Sequence, residues 1–127
     1  MPSTEVQKFI GALEQLESSR QHEAMISLFR DDCTVGNVLA PDQFQGKEGA
    51  TRFWQDYRGV FDEIRSEFHK QVEGANEAAL EWVAEGKTPD GKPIRYHGVT
   101  VLSFEGGQIK RFMAYFDPRG LGRQVEV

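Results

Sequence analysis

The hydrophobic pattern of this chain changes period once, near residue 62, and that change constrains the fold more than any single motif. Upstream, Val6, Phe9, Ile10, Leu13 and Leu16 recur at steps of three and four, which places them on one face of a helix. Thr4, with Gln7 three residues on, reads as its capping box. A second short helix is expected over residues 20–30, with Met25, Leu28 and Phe29 as its stripe and Ser18 or Ser19 as its cap. A short strand is expected over residues 33–39, ending at Ala40-Pro41-Asp42, and a loop then runs to Gly46. Over residues 47–61, Ala50, Phe53, Trp54, Tyr57, Val60 and Phe61 return to helical spacing and form the most aromatic helical face of the chain.

Downstream the period is two. Ile64, Ser66, Phe68, Lys70 and Val72 alternate with charged or polar neighbours, and Glu73-Gly74-Ala75-Asn76 supplies a turn. Strands follow over residues 78–86, 94–104 and 108–116, separated by the Pro89-Asp90-Gly91 turn and by Glu105-Gly106-Gly107. Helices first and an antiparallel meander second give an α+β layer fold, and residues 1–127 read as one domain without repeats or a linker.

Composition narrows the function. Fifteen Lys and Arg against twenty Asp and Glu give a net charge of -5 with no basic stripe, which argues against nucleic acid. Cys33 is the only cysteine, so no intrachain disulfide is expected, and packing alone must hold the fold, as in a reducing compartment. No basic-then-apolar start and no run near the ~18 apolar residues of a membrane span occur, so a soluble cytoplasmic protein is expected. His22, His69 and His97 lack metal-ligand spacing, and neither a Walker motif nor a dinucleotide fingerprint is present, so neither metal nor cofactor is expected. Nine Phe, three Tyr and two Trp are left to be explained, and a curled sheet over an aromatic helix would use them around a pocket.

Phe44-Gln45-Gly46-Lys47-Glu48-Gly49-Ala50 followed by Phe53-Trp54 resembles a signature segment of the SnoaL-like polyketide cyclases, members of the nuclear transport factor two-like (ketosteroid isomerase-like) superfamily. Leu80-Glu81-Trp82 with Gly86, Gly98-Val99-Thr100-Val101, Phe104 with Gly106-Gly107-Gln108-Ile109, and Tyr115-Phe116-Asp117 with Gly120, Leu121 and Gln124 continue the resemblance in order. It implies a cone-shaped α+β barrel, three N-terminal helices wrapped by a curved, mainly antiparallel sheet, often a homodimer through the outer sheet face. Its members include isomerases, cyclases, epoxide hydrolases and non-catalytic binding domains. The paired aspartates of the epoxide hydrolase relatives align with Ala114 and approximately Val83, so that set is absent. The first-helix tyrosine of the isomerase relatives has only Phe9 nearby.

Asp117, at the end of the last strand, matches an acid common in SnoaL-like sequences and is the first acid or base candidate; followed by Pro118, it equally reads as a helix cap. If Gly106-Gly107 alone form the turn, Tyr96 stands opposite Asp117; if Glu105 joins it, Tyr115 opposes His97 and Asp117 shares their face. A Tyr115, His97 and Asp117 cluster would suit acid–base work on a carbonyl compound. Glu81 or Trp82 points inward, not both; an inward Glu81 would be a second acid, and otherwise Trp82 packs the core. Trp54, Tyr57, Phe61 and Trp82 either fill the core or wall a site for a small, mostly apolar molecule. Arg119, Arg123 and residues 125–127 either cover the pocket mouth or fray. Two functions stay open at this level: a cofactor-free acid–base enzyme, and a non-catalytic ligand-binding or dimeric interaction domain.

Overall fold

The structure, a computed structural model, describes residues 3–121. Helix α1 (Thr4–Ser19) is capped by Ser3, one residue earlier than the Thr4 reading. Ser3 holds an extended backbone and its Oγ accepts the Val6 N–H at 3.3 Å, while Thr4 is already helical. At the other end Arg20 closes the helix in the left-handed region with φ 67°, its N–H bonded to the Leu16 carbonyl. A non-glycine residue there costs roughly 1–2 kcal/mol. The Arg20 guanidinium offsets it by donating to the carbonyls of Phe61 and Asp62 at 3.4 and 3.0 Å.

Helix α2 is a single turn, Glu23–Ile26, and not the longer helix the apolar spacing predicts. Phe29 and Arg30 are drawn instead into strand β1 (Phe29–Asn37), because β1 lies parallel to the last strand and gains its ladder. A second strand, β2 (Ala40–Gln45), forms where a loop is expected. Asn37 Oδ1 accepts the N–H groups of Leu39 and Ala40 and folds β2 back onto β1. The polar run Pro41-Asp42-Gln43 hides this strand from a pattern search, and it survives as an edge, where one side needs no apolar face. Helix α3 (Gly46–Gly59) follows as expected.

Strands β3 (Glu63–Glu73), β4 (Glu77–Lys87), β5 (Pro93–Glu105) and β6 (Gln108–Phe116) complete a six-stranded sheet of order β2-β1-β6-β5-β4-β3, and a 3-10 turn over Pro118–Leu121 follows. All neighbouring pairs are antiparallel except β1 with β6. The sheet curves around the three helices as an α+β cone. A bulge at His69 in β3 reverses the alternation beyond it, which is why Val72 is exposed although Ile64 is buried.

Two buried clusters lie inside the cone. One joins Phe9, Leu16, Phe29, Trp54, Leu102 and Phe112; the other joins Phe61, Ile64, Trp82, Ala84 and Tyr96. Tyr57, Phe68 and Phe116 pack against both. Cys33 is buried in the first cluster, and burial pushes its thiol pKa up. No helix among the described residues is long and apolar enough to cross a membrane.

Candidate functional site

The two clusters do not close on each other. Between them lies a cavity of about 250 Å3, bordered by Phe9 and Leu13 of α1, by Phe53, Trp54, Asp56 and Tyr57 of α3, and by Ser66, Phe68, Trp82, Tyr96, Thr100, Phe112 and Phe116 of the sheet. Its walls are overwhelmingly apolar, and edge-to-face aromatic pairs fix them: Trp54 with Phe112 at 5.0 Å, Trp82 with Tyr96 at 5.3 Å, Tyr57 with Phe61 at 5.6 Å. Leu39 and Val60, both more than half exposed, stand with exposed Asp56 where the cavity meets solvent.

Polar groups are few and are organised around Glu17. This buried carboxylate accepts the Tyr57 hydroxyl at 2.7 Å, the Ser66 N–H at 2.8 Å and the Ser66 hydroxyl at 2.6 Å. Arg58, also buried, donates to the backbone carbonyls of Glu17, Phe61 and Asp62 at 3.1, 2.8 and 3.2 Å, tying α3 to α1. Burial, with the neighbouring Arg20 charge, lowers the Arg58 pKa. Burial first, and the Glu17 charge second, push the phenol of Tyr57 well above its ordinary range. The same two causes raise Tyr96. Both phenols are therefore neutral at physiological pH. Trp82 Nε1 donates to Thr100 Oγ1 at 2.9 Å. The Tyr96 hydroxyl has no hydrogen-bond partner among the described residues, and neither has the buried Trp54 Nε1. No group of three or more His, Cys, Asp or Glu among the described residues could hold a metal ion.

A family model described as a SnoaL-like domain matches residues 6–112, which include all of the second cluster, all of the first but Ala114, and most of the cavity wall. The chain belongs to the SnoaL-like family. No curated protein matches it. Among solved structures similar to this SnoaL-like chain are an NTF2-like protein from Anabaena variabilis (17% identity, 94% of this chain and 96% of that one, TM-score 0.83), TerC co-crystallised with polyporic acid (14%, 98% and 100%, 0.81), and an M. tuberculosis LEH-like epoxide hydrolase (15%, 96% and 86%, 0.73). At these identities the likeness establishes the fold.

Within the SnoaL-like cone, Trp54, Tyr57, Phe61 and Trp82 all border the cavity. Glu81 does not: alternation turns Trp82 inward and leaves Glu81 exposed on the outer face. Asp117, His97 and Tyr115 are exposed as well, and none borders the cavity. The β5–β6 register explains this, and it is neither of the two that the turn residues allow. Gly106-Gly107 form the turn, with Glu105 opposite Gln108, but Lys110 bulges out of β6 and pairs Ser103 with Arg111, Val99 with Tyr115 and Gly98 with Phe116. Alternation along β5 turns Tyr96 inward and His97 outward, and the bulge turns Phe116 inward and Tyr115 outward. Asp117 accepts the Arg119 backbone N–H at 3.0 Å and its guanidinium at 2.9 Å at the start of the terminal turn. The Arg119 bonds, more than the nearby His97, hold its carboxyl below the ordinary carboxylate range. Gln124, Arg123 and residues 125–127 lie outside the described residues.

Glu17, Ser66, Tyr96 and Thr100 were not singled out as site residues by sequence reasoning. For Glu17 a signal exists: it stands four residues after Leu13 and eight after Phe9, so it continues the buried stripe of α1 with a charge. Arg58 does the same on α3, following Ala50 and Trp54 at steps of four.

Proposed function

We propose that this chain binds a small, mostly apolar carbonyl compound in the cavity and moves a proton on it, in an isomerisation or cyclisation that needs no cofactor. The observation that carries this reading is a neutral, uncommitted Tyr96 hydroxyl bordering an otherwise apolar, aromatic cavity. Such a phenol donates to a carbonyl oxygen and stabilises the charge that gathers there when a neighbouring proton leaves. The Asp56 carboxylate at the opening is the group that takes and returns that proton. The co-crystallisation of TerC with polyporic acid supports a small organic occupant.

The test is α-proton exchange. A panel of small cyclic ketones is incubated with the protein in deuterated buffer and followed by NMR. Exchange above the buffer rate, lost in Asp56→Asn and reduced in Tyr96→Phe, is expected. Binding without exchange would instead favour the second reading, a ligand-binding domain, for which one observation speaks: the other carboxylate at the site, Glu17, is already occupied by three donors.

Half-buried Val83, Val99 and Val101 and exposed Tyr115 on the outer sheet face support a homodimer, which light scattering would read as twice the chain mass. The lone, buried Cys33 fits a reducing compartment such as the cytoplasm.

A further inference from the structure

We infer that the polar end of the cavity recognises an uncharged hydroxyl or enol group of the ligand, which donates a hydrogen bond to the Tyr57 or Ser66 oxygen, while its own oxygen or an adjacent carbonyl accepts a hydrogen bond from Tyr96. This deepens the reading above and rests on it.

The inference follows from where each proton goes. A hydroxyl has one proton to donate and two lone pairs to offer. Tyr57 and Ser66 both border the cavity, and both spend their proton on Glu17 Oε2. What they present to a ligand is lone pairs alone. Tyr96 is the opposite case, since its hydroxyl donates to no described residue. The Phe61 ring contacts both phenols, at 5.6 Å from Tyr57 and 6.3 Å from Tyr96, and Tyr57 packs against the cluster that holds Tyr96, so acceptors and donor belong to one end of the cavity.

Ligand classes then separate. A ketone alone satisfies Tyr96 but leaves the Tyr57 and Ser66 lone pairs facing apolar surface. A carboxylate brings no proton and adds a negative charge beside Glu17, in a site of low dielectric. A hydroxyl both donates and accepts, and matches the whole set. The Thr100 hydroxyl, whose oxygen accepts from Trp82, retains a proton for a second acceptor on the same molecule.

Naphthol, naphthalene and naphthoate share one apolar frame and differ only in this group. Titrated calorimetrically into the full chain, naphthol is expected to bind about tenfold tighter than naphthalene, and naphthoate weaker than both. In Glu17→Gln the amide N–H turns Tyr57 or Ser66 into an acceptor and frees a hydroxyl proton toward the cavity, so the preference for naphthol over naphthoate should shrink or reverse. Should that variant lose its circular-dichroism signature, Ser66→Ala serves instead: it should reduce naphthol affinity by a few-fold and leave naphthalene unchanged. Equal affinities for naphthol and naphthalene, or tighter naphthoate, would overturn the inference and leave the cavity as a binding site. Failure of all three to bind would overturn the cavity reading itself, and this inference with it.

Discussion

The Tyr57 hydroxyl donates to Glu17 Oε2 at 2.7 Å, joining two helices across 40 residues of sequence. Because the carboxylate also holds Ser66 of β3, this contact positions α3 against both α1 and the sheet, and so sets the width of the cavity. Tyr57→Phe removes one of three donors to a buried charge and is expected to lower stability by about 1.5–3 kcal/mol. Urea unfolding of Tyr57→Phe, Ser66→Ala and the double variant would measure it; strictly additive losses would show that the three groups do not act as a unit.

Tyr57 and Tyr96 also set an alkaline limit. Both phenols have folded pKa values raised above the unfolded value near 10, so below about pH 10 both are protonated in either state and stability is independent of them. Above it the unfolded phenols ionise first, and stability falls by up to about 1.4 kcal/mol per pH unit for each tyrosine. Melting temperatures between pH 8 and 11 would show a plateau and then a decline, less steep in Tyr96→Phe. An identical slope in that variant would contradict the assignment.

Gly98 lets Trp82 and Tyr115 close on the β5 backbone. A Cβ there would lie 2.9 Å from Trp82 Cζ2 and closer still to the Tyr115 carbonyl. Gly98→Ala is therefore expected to cost about 1–3 kcal/mol by overpacking and to shift tryptophan emission as Trp82 moves at the cavity wall. Unchanged emission with unchanged melting would mean that the strand yields freely.

Asp117 and Tyr96 make opposite predictions. Asp117 is exposed and paired with Arg119, so Asp117→Asn should leave ligand affinity and any proton exchange unaltered. Tyr96→Phe should weaken carbonyl ligands by roughly three- to tenfold, the loss of one hydrogen bond. Side-by-side titration of the two variants with one ketone decides between them, and a larger effect at Asp117 would return the chemistry to the outer face.

What the sequence determined by itself is whatever depends on local period. The stripes of α1 and α3, the alternating strands after residue 62 and the helix-then-meander order are properties of near neighbours, and they suffice for an α+β layer fold, to which the family resemblance adds the cone. The aromatic wall was legible for the same reason, since Trp54, Tyr57 and Phe61 share a helix face. The parallel pairing of β1 with β6, which shortened α2, required a partner about 80 residues away. The bulge at Lys110 likewise has no local signature, yet it put Phe116, and not Tyr115 or Asp117, on the cavity side of β6. Hydrogen-bond partners are equally non-local: Glu17 carries a visible charge on an apolar stripe, but only packing brings Tyr57 and Ser66 to it. Period is encoded residue by residue, whereas register and proton direction are fixed only when distant strands meet, and the chemistry of this site depends on the latter.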